Sequence, residues 1–207
     1  MTWVKICGIT DDAALEAAVE AGADAVGFVF HPPSRRYIPP GQAQRLADRA
    51  GGRTLRVGVV VDQRRPAVET ILDSVPLDAV QWAGGPVPDW AHDLGSHLHI
   101  GVLRLAPGDP WPPHLPPAWA YLLEAPGPPG TYGGNGRPGL WPAQGETGPV
   151  GRLILSGGLH AENVPQAVRH TRPFGVDVSS GVETDGKKDP QKIRAFVEAV
   201  RRDADGA

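Results

Sequence analysis

Short apolar runs rich in valine and isoleucine recur along the chain: WVKICG (3–8), AVGFVF (25–30), LRVGVVV (55–61), DAVQW (78–82), HIGVLRL (99–105), AYLLE (120–124), RLILSG (152–157) and FGVDVSS (174–180). They are continuous rather than alternating, which is how strands covered on both faces read. Between several of them, apolar residues recur at helical spacing. TDDAALEAAVEAG (10–22) opens on a Thr or Asp cap and stops at Gly22, and 39–51, 64–75, 160–171 and 188–203 follow the same grammar. Eight strands alternating with helices, one unit every roughly 20 to 30 residues, predict a parallel sheet. The count of eight favours a closed (β/α)8 barrel, a single domain over 1–207.

Composition changes this picture in one place. The chain of 207 residues holds 27 glycines and 23 prolines, and the prolines crowd into 106–119 and 125–149. Proline removes an amide donor and clashes with the preceding turn of a helix. The helix after the fifth strand is therefore expected to be degenerate, and the one after the sixth as well. Hydrophobic residues at 41% and charged residues at 21% match an ordinary folded protein. A net charge of −3 with scattered Lys and Arg offers no footprint for nucleic acid. No run of about 18 apolar residues exists to span a membrane. The first residues lack the layout of a signal peptide, which together with a lone thiol leads us to expect a cytoplasmic location. The seven histidines show no metal-ligand spacing, His97 and His99 included.

Barrels of this kind bind and react at the C-terminal ends of their strands. Cys7, the only cysteine, lies at such an end. A single Cys has no intramolecular disulfide partner, so its role is packing or chemistry. LILSGGLHAENV follows the seventh strand with Gly157 and Gly158, and VDVSSGVETDGKKD follows the eighth with Ser179, Ser180 and Gly181. Glycines let backbone approach an anion, and helix N-termini add free amide donors. Loops seven and eight are the usual phosphate site of the fold, so the expected partner is a phosphorylated small molecule.

Seven stretches in order, VKICGIT (4–10), GADAVGFVF (22–30), SRRYI (34–38), RVGVVVD (56–62), YGGNG (132–136), LSGGLHAENV (155–164) and VDVSSGVETDGKKD (176–189), resemble the phosphoribosylanthranilate isomerase family of tryptophan biosynthesis. The resemblance implies a (β/α)8 barrel that carries out an Amadori rearrangement of N-(5'-phosphoribosyl)anthranilate, with neither metal nor cofactor. By resemblance Cys7 is the general base and Glu124 the general acid, although the family carries Asp at that position. Arg36 matches the residue that pairs with the anthranilate carboxylate, with Arg35 pointing elsewhere. Gly157, Gly158, Ser179, Ser180 and Gly181 match the phosphate site. Asp177 holds a ribose hydroxyl or stabilises a loop. Lys5, two residues before Cys7 on the same strand face, is a candidate source of positive charge for the thiol. A second departure is Trp82-Ala83, where the family has Leu-His; Gln81 is retained and compatible with a structural role. YGGNGRPGLW (132–141) reads as a loop over the substrate.

Two other readings compete. The sister sugar isomerase of histidine biosynthesis uses two aspartates, and Cys7 counts against it. A non-catalytic phosphate-binding barrel, idled by Glu124 and the altered fourth strand, is disfavoured by Cys7, Arg36 and both intact phosphate loops. Monomer and homodimer are both compatible with the sequence.

Overall fold

Side chains alternate across a strand, so each apolar run sends one set of residues inward and the other out against the helices. A computed structural model, describing residues 1–106, 108–125 and 141–204, shows both sets. Strands β1 (Trp3–Cys7), β2 (Ala25–Val29), β3 (Leu55–Val60), β4 (Ala79–Trp82), β5 (Leu98–Arg104), β6 (Ala120–Glu124), β7 (Leu153–Leu155) and β8 (Gly175–Val178) pair in parallel in chain order. β8 then closes on β1, placing Lys5 beside Asp177. Outward residues such as Ile6, Phe28, Val80, Leu123 and Val176 join the main core under the helices. Inward residues fill the barrel floor with Trp3, Val57, Ile100 and Leu122, and Cys7, Val29, Val59, Val61 and Ala83 form an apolar ring nearer the mouth.

The helices α1 (Asp12–Glu20), α2 (Pro40–Ala50), α3 (Arg65–Ser74), α4 (Val164–Thr171) and α5 (Pro190–Ala204) occupy the segments with helical spacing. The cap of α1 is Asp11, whose carboxylate accepts from the Ala14 amide at 2.9 Å. α2, α3 and α4 each carry a proline in the first turn, where a missing N–H costs nothing.

Among the described residues no α-helix follows β5, as the prolines require, and only turns are described over 141–152 before β7. One difference appears on the fourth unit. Only a 3-10 turn, Asp89–Asp93, joins β4 to β5. Trp82 fills the flank an α-helix would cover: its ring meets Trp90 edge-on with centroids 5.3 Å apart, and its Nε1–H donates to His99 Nδ1 at 3.3 Å. Trp82 is thus a packing residue on the outer face of the barrel. Among the described residues no helix is long and apolar enough to cross a membrane.

Candidate active site

At the C-terminal ends of the strands lies a cleft lined by both apolar and polar residues, among them Cys7, Val59, Glu124 and Ser180. Cys7 ends β1 on its floor. The thiol occupies room that exists because β2 carries Gly27 beside it: a Cβ there would lie 2.9 Å from Cys7 Sγ and 3.3 Å from Lys5 Cε. Lys5, fully buried one turn of the pleat below, bonds Asp177 Oδ1 at 2.7 Å. Burial pushes the Lys5 ammonium down, but Asp177 and Cys7 together hold it above its ordinary value. Burial raises the Cys7 thiol, and Lys5 offsets only part of that rise.

Glu124 ends β6 and is buried at the cleft wall. Arg104, its neighbour across the β5–β6 register, bonds Glu124 Oε1 at 2.6 Å and the Ala83 carbonyl at 2.8 Å. Ala83 thus sits where β4, Arg104 and the cleft meet. Burial raises the Glu124 carboxyl, and the opposing pull of Arg104 is the smaller effect.

The loops after β7 and β8 touch. Gly157 and Gly158 adopt φ of +85° and +65°, conformations an L side chain resists. A Cβ on Gly181 would fall 1.8 Å from the Leu159 carbonyl oxygen, so only glycine allows the two loops this close. Among the described residues no backbone carbonyl takes the N–H of Gly157, Gly158 or Ser180. Gly157, Gly158, Ser179 and Ser180 line the cleft, whereas Gly181 serves the packing beneath it.

Arg36 reaches the cleft from the loop after β2, its stem lying over Gly8, where φ is +82° and a Cβ would meet Arg36 Cδ at 2.6 Å. One edge of its guanidinium is held by Glu183, at 2.6 Å to Oε1 and 3.2 Å to Oε2. Arg35, expected to point elsewhere, reaches the same carboxylate from the exposed side at 2.6 Å. Buried Lys188 completes the cluster, donating to Glu183 Oε1 at 2.8 Å and to the Ser179 carbonyl at 2.8 Å, and Ser179 Oγ donates to the Cys7 carbonyl at 3.0 Å. Burial pushes the Glu183 carboxyl up, but Arg36 and Lys188 outweigh it and hold the group below its usual range.

Cys7, Glu124, Arg36, Asp177 and four of the five phosphate-loop residues therefore share one cleft. Glu183, Lys188 and Arg104 were not singled out from sequence, although the first two lie within the VDVSSGVETDGKKD motif. The YGGNGRPGLW loop lies outside the described residues except for Trp141. Among the described residues no group of His, Cys, Asp or Glu is arranged to hold a metal ion.

A buried thiol and a buried carboxyl group in one cleft at the strand ends, beside the glycine loops after β7 and β8, define the class: a (β/α)8 barrel enzyme with a potential acid–base pair at its mouth. Residues 4–102 and 141–199 match the family model described as N-(5'-phosphoribosyl)anthranilate (PRA) isomerase. The N-(5'-phosphoribosyl)anthranilate isomerase of Streptococcus pneumoniae (strain Hungary19A-6) is 41% identical over 100% of this chain and 99% of its own. The crystal structure of the Thermotoga maritima phosphoribosyl anthranilate isomerase is 34% identical, with a TM-score of 0.81 over 98% of this chain and all of that one. A third, phosphoribosyl anthranilate isomerase in complex with reduced 1-(o-carboxyphenylamino)-1-deoxyribulose 5-phosphate, is 31% identical with a TM-score of 0.74 over 98% of this chain and 100% of its own. The chain belongs to the N-(5'-phosphoribosyl)anthranilate isomerase family.

Proposed function

We propose that this chain converts N-(5'-phosphoribosyl)anthranilate to 1-(2-carboxyphenylamino)-1-deoxyribulose 5-phosphate, with Glu124 as general acid and Cys7 as general base. Glu124 gives its proton to the ring oxygen as the C1'–O bond breaks, and the nitrogen lone pair forms C1'=N, leaving a protonated Schiff base and an ionised Glu124. The Cys7 thiolate then takes the C2' proton. The freed electron pair forms C1'=C2' and neutralises the nitrogen, and the resulting enolamine tautomerises to the ketone.

The surroundings support these roles. Burial keeps Glu124 protonated further up the pH scale than an exposed carboxyl, as an acid requires. Lys5 is a fixed cation beside the thiolate when it forms. Cys7 remains the weaker acid of the two, so the productive form, thiolate with neutral Glu124, is the minor one of the two singly protonated states. Gly157, Gly158, Ser179 and Ser180 would take the phosphate, with Gly181 allowing the loops to meet around it. Arg36 would offer the anthranilate carboxylate the guanidinium edge opposite Glu183. Asp177, already bonded to Lys5, would accept from a ribose hydroxyl. A relative was solved in complex with reduced 1-(o-carboxyphenylamino)-1-deoxyribulose 5-phosphate, the reduced form of the product proposed here.

The observation that carries this reading is the buried thiol and buried acid sharing one cleft with the phosphate loops. Purified protein should extinguish the fluorescence of N-(5'-phosphoribosyl)anthranilate. Binding of phosphorylated analogues with unchanged fluorescence would instead make this an idle barrel.

A further inference from the structure

Lys188 is buried and does not line the cleft, yet it lies directly behind the loop that follows β8. A short hairpin brings it there. β9 (Glu183–Thr184) and β10 (Lys187–Lys188) pair antiparallel with Glu183 opposite Lys188, and the tip residues Asp185 and Gly186 adopt φ of +50° and +78°, as a two-residue turn requires. An ammonium has three protons, and Lys188 gives them to Glu183 Oε1 at 2.8 Å, the Ser179 carbonyl at 2.8 Å and Ser179 Oγ at 3.1 Å. None is left for a ligand. The cost of burying the charge is offset by Glu183, so the lysine is explained by what it does to Ser179. Ser179 Oγ accepts from Lys188, and its own proton goes to the Cys7 carbonyl at 3.0 Å. The Ser179 carbonyl is drawn to Lys188, on the side away from the cleft. A trans peptide is planar with its C=O and N–H opposed, so the N–H of the next residue, Ser180, points the other way. Ser180 lines the cleft, and among the described residues no backbone carbonyl takes its N–H.

We propose that Lys188 is a positioning residue for the substrate's phosphate, holding the Ser179–Ser180 peptide so that the Ser180 N–H is aimed at a phosphate oxygen. The proposal rests on the reading above, in which loops seven and eight take the phosphate. Without the ammonium, the Ser179 carbonyl keeps only the Val182 N–H at 3.4 Å, and the peptide plane is free to turn. A turned plane would present the phosphate with the carbonyl oxygen in place of the N–H. An amide already fixed in the binding direction has no orientational freedom to lose when the ligand arrives, which is the gain from anchoring it. The phosphate lies away from the atoms that react and is held alike in substrate and transition state. Loss of this hold therefore raises KM and leaves kcat nearly unchanged.

Lys188→Met removes the ammonium and keeps the stem. The inhibition constant of inorganic phosphate should rise by about 10-fold, the effect of one hydrogen bond to a charged group, with KM rising alike and kcat within about threefold. The reduced product analogue lacking its phosphate should bind variant and wild type within about twofold of each other. A lysine that only holds the fold together would weaken both ligands alike; that result, or unchanged phosphate inhibition, would overturn the proposal. A second measurement needs no variant. In isotope-labelled wild type, inorganic phosphate should move the Ser180 amide proton downfield by NMR, and in Lys188→Met this response should shrink. A wild type that is active while its Ser180 amide ignores phosphate would overturn the role of Lys188 and leave the isomerase reading standing. A wild type whose Ser180 amide responds but which leaves N-(5'-phosphoribosyl)anthranilate fluorescence unchanged would overturn the isomerase reading and support the phosphate role.

Discussion

Lys5 Nζ lies 2.7 Å from Asp177 Oδ1, with side chains 0% and 9% exposed, on strands that meet only where the barrel closes. The pair carries a buried charge of each sign into the layer beneath Cys7. Because Lys5 is held above its ordinary 10.5, the stability it lends is present throughout neutral pH and is lost only as pH rises past its folded value. Lys5→Met strands the Asp177 carboxylate and should cost about 3–5 kcal/mol in chemical denaturation. The same change removes the cation that lowers the Cys7 thiol. Alkylation of the single thiol should therefore shift its midpoint to higher pH, and an unmoved midpoint would show that Lys5 does not act on Cys7.

With Glu124 and Cys7 in the proposed roles of acid and base, kcat/KM should show a bell-shaped dependence on pH. The acid limb should follow Glu124, above the ordinary carboxyl value of 4.5, and the alkaline limb Cys7, above 9.0. The assignment is tested at Arg104, which pulls Glu124 down. Arg104→Met should move the acid limb upward while leaving the alkaline limb in place. Cys7→Ser should lower kcat by about 100-fold or more with KM little changed, and an intact alkaline limb in that variant would remove Cys7 from the mechanism.

Much of this frame is legible in local pattern, because burial on both faces writes itself as continuous apolar runs. DAVQW (78–82) becomes β4 (Ala79–Trp82), and 188–203 becomes α5 (Pro190–Ala204). The positions of Cys7 and Glu124 at strand ends, and of Asp177 within β8, follow from the same runs. What local pattern does not carry is pairing. Glu183 grips Arg36 from 147 positions away, and Arg104 meets Glu124 only through the β5–β6 register. The reduced connection after β4 is likewise a tertiary matter, since Trp82 reads as one more apolar strand residue until Trp90 and His99 are found against it.

Gly181 should tolerate no side chain. Gly181→Ala places a Cβ 1.8 Å from the Leu159 carbonyl oxygen and must push loops seven and eight apart. Overpacking of this kind costs about 1–3 kcal/mol. The sharper readout is phosphate: competitive inhibition by inorganic phosphate should weaken together with a rise in KM, while kcat at saturation falls less. Equal inhibition of variant and wild type would place the phosphate elsewhere.

Glu124 stands at the position that the sequence resemblance matches to an Asp, and its carboxylate has a partner in the structure. Glu124 Oε1 meets Arg104 at 2.6 Å, and the Arg104 Nη2 in turn donates to the Ala83 carbonyl at 2.8 Å. Ala83 has only a methyl side chain at the point where Arg104 arrives. Arg104 thus links the carboxyl of Glu124 to the backbone at Ala83. Glu124→Asp draws the carboxyl back by about 1 Å, a displacement that costs on the order of 100-fold where a proton must be delivered to a fixed atom. The carboxyl would also sit further from Arg104, so the acid limb of the pH profile should rise as kcat/KM falls. A gain in rate on restoring the family residue would show that the surroundings remain built for Asp. An unchanged rate and profile would show that the carboxylate takes no part in catalysis.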